Sequence, residues 1–140
     1  MRGHEETARI LAEWVDKAEH DLLTAVHTLK LGKRTPTETV SFHAQQCVEK
    51  YLKALLVLQD VVVPRTHDIE VLLGIVSPRN RPMLNAFEQQ QLTEYAADVR
   101  YPSVGNPSLA EAREAVALAR RVRAQARKIL PKAALRRNSS

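Results

Sequence analysis

Cysteine is almost absent from this 140-residue chain, in which Cys47 is the single thiol. That excludes an intramolecular disulfide, and Cys47 lacks the paired CxxC spacing of a zinc or redox site. Set in an apolar helical pattern, it reads as a small buried hydrophobe. Aromatic residues make up only 4% of the chain. The few Tyr and Phe are not interleaved with basic residues, so no platform for stacking bases is indicated. No apolar stretch approaches the roughly 20 residues that span a bilayer. The opening MRGHEETARI carries acids where a signal peptide needs an apolar run. These absences point to an aqueous, reducing, cytoplasmic setting. Also missing are the phosphate-binding patterns GxGxxG and GxxxxGKS/T and the GxSxG nucleophile elbow. Ser41, Ser77, Ser103 and Ser108 have no recognisable base nearby in sequence, and loop or cap roles suffice for most of them.

Acid is missing from one end only. Residues 1–119 hold 13 Lys/Arg and 16 Asp/Glu, whereas residues 120–140 hold eight basic residues and no acid. The basic ones are Arg120, Arg121, Arg123, Arg127, Lys128, Lys132, Arg136 and Arg137. The isoelectric point of about 9.7 therefore says little about the body of the chain. Such a tract attracts nucleic acid or an acidic protein face. It equally suits a helix C-terminus, where cations complement the dipole.

What is present is helical periodicity. Ile10, Trp14, Ala18, Leu22, Ala25 and Leu29 recur at three and four residues and predict a first helix over residues 5–31, stopped by Gly32. Thr35-Pro36-Thr37-Glu38 has the form of a capping box with Pro at the first helical position. The helix it opens runs to about residue 60 with a wide apolar arc, as expected of a central helix. Residues 61–64, VVVP, read as an extended connection because no second strand is available to pair with them. Thr66 is the expected cap of a third, shorter helix whose Ile69, Leu72, Leu73 and Val76 face inward. A fourth helix is expected over residues 83–99, using Leu84, Phe87, Leu92, Tyr95 and Ala96. A fifth, with Ser108 and Glu111 at capping-box spacing, is expected to end near Leu130-Pro131. The pattern predicts an all-α, up-and-down antiparallel bundle of about five helices over residues 1–131, followed by a flexible basic tail over residues 132–140.

The second helix interrupts its apolar pattern with polar residues. By helical geometry His43, Gln46, Glu49, Lys50 and Lys53 fall close together as a polar seam. Buried, such groups must be hydrogen-bonded. The seam specifies helix register or a subunit interface, or it lines a ligand groove. Arg65 and His67 follow shortly after, and Arg100 and Tyr101 form another polar cluster at a helix end. Arg65 and Arg100 are anion-binding candidates if they converge. His20 and His27, with Asp16, share a face but lack a third convincing ligand, so neither a metal nor a cofactor is expected.

The run FHAQQCVEKYLKALL at residues 42–56 closely resembles the HEPN domain family, the higher-eukaryote and prokaryote nucleotide-binding domain. The resemblance continues in PRTHDI at residues 64–69 and VRYP at residues 99–102, and WVDKAEHDL at residues 14–22 fits the family's first helix. It implies a helical bundle, commonly homodimeric and often encoded beside a minimal nucleotidyltransferase, in pairs that include toxin–antitoxin systems. The family's ribonucleases are implied to use an Arg followed by four to six residues and a His, paired across a dimer. None of His4, His20, His27, His43 or His67 has an Arg at that spacing, and no His follows Arg79-Asn80. The departure argues against the usual nuclease chemistry, and no residue is assigned as catalytic.

The expected function is thus a HEPN-like accessory or nucleotide-binding protein. Its expected partners are a second copy, a minimal nucleotidyltransferase, and a nucleotide or RNA, with no membrane. One alternative is an RNA-cleaving toxin with a non-standard site, drawing on His43 or His67 with Arg65 or Arg100. Another is a purely structural helical adaptor.

Overall fold

In a computed structural model, which describes residues 3–96 and 105–136, six α-helices follow one another and no strand occurs among the described residues. The helices are α1 (His4–Leu29), α2 (Thr37–Leu58), α3 (Ile69–Ile75), α4 (Ala86–Glu94), α5 (Leu109–Ile129) and α6 (Lys132–Leu135). Short 3-10 turns at Gly32–Arg34 and Pro78–Asn80 punctuate the connections. No helix among the described residues is long and apolar enough to cross a membrane.

Helix α2 is the centre of the molecule, as its wide apolar arc predicts. Val40, Ala44, Cys47, Val48, Tyr51, Leu52, Leu55 and Leu56 are all buried along it, and α1 and α5 pack along its sides. Contacts of Asp21 with His43, and of Thr28 with Thr35, set α1 antiparallel to α2. Helix α5 crosses both: Arg123 reaches Glu19 of α1, and Arg127 reaches Tyr51 of α2. The shorter α3 and α4 pack on each other, tied where the Ile69 amide donates to Thr93 Oγ1 at 3.0 Å.

The stripe of α1 is rotated from the expected one. Leu11, Val15, Ala18 and Ala25 are fully buried, while Ile10, Trp14, Leu22 and Leu29 pack at the edge of the core. The rotation follows from α1 being covered by α2 along most of its length and by α5 and α6 only in part. Trp14 at this edge lies 5.8 Å from Lys53 Nζ, within cation–π range.

Helix starts divide into those that follow the local pattern and those that do not. Ser108 and Glu111 form the full capping box of α5. Thr35 does not cap α2: Pro36 is the cap residue, and the Thr35 hydroxyl instead donates to the Thr28 and Leu29 carbonyls at the end of α1. Those carbonyls belong to the last turn of α1, where the Thr28 oxygen also accepts from the Leu31 amide, and the hydroxyl is drawn to that helix end. At α3 the cap is Asp68, whose carboxylate accepts from the Val71 amide, while Thr66 accepts from the Asp68 amide one step earlier. Helix α4 begins three residues later than expected, because Asn85 and Glu88 form a capping box there. This leaves Phe87 on the outside, 70% exposed rather than in the core. After α5, Lys132–Leu135 of the basic tract turns into α6, which rests on α1 with Ala134 buried.

Candidate functional site

The polar residues of α2 separate into two ionic clusters. In the first, Glu49 is almost fully buried and its carboxylate accepts from three side chains. Lys53 Nζ donates to Oε2 at 2.9 Å, while Gln45 Nε2 and His67 Nδ1 reach Oε1 at 3.1 and 2.8 Å. A carboxylate only accepts, so the proton in the His67 contact sits on Nδ1. Gln45 also donates to the His67 carbonyl, and Gln46 donates to Gln45 Oε1 at 2.7 Å. Burial alone would raise the Glu49 pKa; the bonds from Lys53, His67 and Gln45 outweigh it and hold the carboxyl below its usual range.

In the second cluster the acid comes from α1. Asp21 Oδ1 lies 2.7 Å from His43 Nδ1, and Asp21 Oδ2 accepts from Lys50. Two residues before Asp21 on α1 is a third acid, Glu19. It accepts from the Tyr51 hydroxyl at 2.8 Å and takes a two-pronged bond from Arg123 at 2.8–3.0 Å, with Arg127 at 3.7 Å. Burial works to raise Glu19, but the Arg123 and Tyr51 bonds prevail and lower it. Burial, only partly offset by Arg127, raises the Tyr51 phenol. The bond to Glu19 in turn raises the Arg123 guanidinium. Cys47 beside them is fully buried, and burial, reinforced by the charges of Glu19 and Asp21, pushes its thiol far up, so it stays an inert apolar filler.

The seam therefore gathers Gln46, Glu49, Lys53 and His67 around one carboxylate, and His43 and Lys50 around another. Arg65 is exposed and makes no hydrogen bond or ion pair among the described residues. Arg100 and Tyr101 lie outside the described residues. Glu19, Asp21, Gln45, Tyr51, Arg123 and Arg127 join these networks without having been candidates on sequence grounds. Asp21 carried a usable signal, because it sits three residues after Ala18 and four before Ala25, on the buried stripe of α1. The pairing of Glu19 with Arg123 joins residues far apart in the chain, and nothing local announces it.

Chemically, the geometry leaves the buried carboxylates engaged and one imidazole accessible: the His67 side chain is 68% exposed while Nδ1 stays anchored on Glu49. His20 and His27 are exposed, and among the described residues no three His, Cys, Asp or Glu side chains gather as a metal site. Two surface grooves also occur among the described residues, and Glu19 and Arg123 line the smaller one. The larger, about 890 Å3, is bounded by Leu73, Arg81, Met83, Leu84, Glu88 and Arg121. The smaller, about 290 Å3, runs between α1 and α5. His43, Gln46, Glu49, Lys50, Lys53 and His67 line neither groove.

No curated protein matches the chain. Among solved structures, the crystal structure of TT1696 from Thermus thermophilus is similar. It is 28% identical with a TM-score of 0.67, and the match covers 88% of this chain and 98% of that one. The HEPN domain model matches residues 11–129, from the third turn of α1 to the end of α5, a span that holds both clusters of the α2 seam; the chain belongs to the HEPN domain family.

Proposed function

We propose that this HEPN-family chain is a non-catalytic accessory or nucleotide-binding protein. In this reading it acts in the cytoplasm as a homodimer with a minimal nucleotidyltransferase, in the manner of a toxin–antitoxin pair. The observation that carries the reading is the closure of the α2 seam. Both oxygens of Glu49 and both of Asp21 are bonded to side chains of the same domain. Groups so engaged serve register and interface shape better than turnover. Exposed apolar side chains, among them Leu31, Val62, Val71, Met83 and Phe87, supply surface for protein contacts. The reading expects a dimer by size-exclusion chromatography with light scattering, a stable complex with a co-expressed nucleotidyltransferase, and no RNA cleavage. A strictly monomeric protein at working concentration would sink it.

A second reading is favoured by His67 alone. An accessible imidazole oriented through Nδ1 by a buried carboxylate has the arrangement of an acid/base group, and Arg65 stands two residues before it. RNA cleavage that disappears in His67→Ala and Arg65→Ala variants would establish this reading. Intact RNA across varied sequences and divalent metals would remove it. The adaptor reading gains if a protein complex forms and no nucleotide binds.

A further inference from the structure

The smaller groove has a composition that the α2 seam does not explain. Its α1 wall is Leu22, Leu23 and Val26, its α5 wall is Arg120 and Arg123, and Glu19 closes one end. Leu23 is 55% exposed there. Arg123 and Glu19 neutralise each other across the end of the groove. Arg120 is exposed and has no ion-pair or hydrogen-bond partner among the described residues.

Acid is scarce in the stretches of sequence that follow the groove residues on each helix. No Asp or Glu occurs in residues 22–37 or in residues 115–140. Lys30, Lys33 and Arg34 follow Val26 in the chain and Lys128 follows Arg123; all four are exposed and unpaired among the described residues. The result is an apolar wall flanked by cations, in which Glu19, the one acid lining the groove among the described residues, is matched by Arg123.

We infer that the α1–α5 groove docks an acidic amphipathic helix of a partner protein. Its apolar side chains would seat on Leu22, Leu23 and Val26, and its carboxylates would face Arg120 and the neighbouring lysines. Charge complementarity selects the sign of the partner. The apolar wall selects its class, because a nucleic-acid backbone gains nothing from exposed leucine, and among the described residues no aromatic ring lines the groove to stack a base. Size argues the same way. At about 290 Å3 the groove is at the lower limit of small-molecule pockets, roughly 300 Å3, but it suits one or two anchoring side chains of a helix laid along it. Arg at the rim of such a contact is a frequent hot spot. This deepens the accessory reading by naming the chemistry of the partner, and it rests on that reading.

The test titrates the full chain, labelled with 15N, with a synthetic Leu/Glu amphipathic peptide of about five helical turns. Its Leu/Lys counterpart and a single-stranded oligonucleotide serve as the other probes. The Leu/Glu peptide is expected to shift the amides of Leu22, Leu23, Val26 and Arg120, and the Leu/Lys peptide to leave them in place. Arg120→Glu should weaken peptide binding about tenfold and Leu23→Ser about fivefold, with circular dichroism unchanged because both side chains are exposed. Three results would overturn the inference: no binding of the Leu/Glu peptide, binding indifferent to Leu23→Ser but displaced by the oligonucleotide, or groove shifts produced by protein concentration alone, which would make a second copy the occupant. A dimer that ignores the peptide refutes this inference while leaving the accessory reading intact.

Discussion

Along α2 the charged side chains Glu49, Lys50 and Lys53 each have a partner inside the domain, whereas on the outer side of α5 Arg120 and Lys128 have none among the described residues. The same residue types thus perform opposite tasks in two neighbouring helices. Inside, desolvation makes an unpaired charge costly, so each cation is matched to a carboxylate. Outside, water solvates a free guanidinium or ammonium at little cost, and the charge stays available to an incoming partner. Pairing, more than the mere presence of charge, separates what maintains this fold from what its surface offers.

The largest expected effect breaks the inner side of that contrast. Glu49→Ala leaves Lys53 buried without its acid and should destabilise the domain by about 3–5 kcal/mol, read from urea midpoints. A Glu49→Leu/Lys53→Met double variant should lose far less, because it removes both charges. A single and a double variant of equal stability would show that the pair is not desolvated as its burial suggests. Acidification tests the same cluster in the wild-type chain. The Glu49 and Glu19 carboxyls are both held below their ordinary value of 4.5, so the unfolded chain binds more protons than the folded one in the window beneath it. Stability contributed by these groups is fully present above about pH 4.5 and declines as pH falls through their folded values. Glu49→Gln should flatten that decline.

Next in size is the link among three helices at Glu19. Arg123 is more exposed than Lys53, and water replaces part of what is lost, so Glu19→Gln should cost about 1–2 kcal/mol. Its signature is spatial. Amide exchange should accelerate in α5 around Arg123 and Arg127 more than around Glu49. An even acceleration throughout the domain would mean that Glu19 does not tie α5 to the other two helices in particular.

These networks also mark how far the sequence could be read. The seam of α2 was legible because His43, Gln46, Glu49, Lys50 and Lys53 interrupt an otherwise apolar helix at helical spacing, and polarity in a buried helix demands partners. The identity of those partners was less accessible. Gln45 and Lys53 bond Glu49 within one helix, which local geometry permits, but Asp21 and Arg123 arrive from other helices whose rotation is set by packing. Helix starts behaved alike. Ser108 capped α5 as its spacing implied, since nothing else competes for its hydroxyl. Thr35 did not cap α2, because the folded chain brings the last carbonyls of α1 within its reach. The Asn85–Glu88 box was visible in the residues, but the apolar Met83 and Leu84 just ahead of it extended the apparent helix backward.

Ser41 departs from the rule that buried polar groups find partners. Ser41, on α2 and 1% exposed, has a hydroxyl with no hydrogen-bond partner among the described residues. Ser41→Ala should therefore raise stability by about 1 kcal/mol, since it removes a desolvated group and loses no bond. Destabilisation on this change would reveal a partner for the hydroxyl and extend the inner network by one member.

The smallest expected effect lies where α2 ends and its paired interior gives way to solvent. Asp60 has φ 61°, in the left-handed region, and follows the Gln59 cap. Around it the Val61 amide donates to Leu56 and the Asp60 amide to Val57, the two bonds of a Schellman ending. Glycine is the usual occupant of that position because a Cβ is strained there; aspartate tolerates it better than most residues. Asp60→Gly should stabilise the domain by about 0.5 kcal/mol, the relief of backbone strain exceeding the added freedom of the unfolded chain. Asp60→Val, which keeps a Cβ and adds a branch, should move the urea midpoint the other way. If the two variants shift it in the same direction, the Asp60 carboxylate rather than its backbone conformation governs how α2 ends.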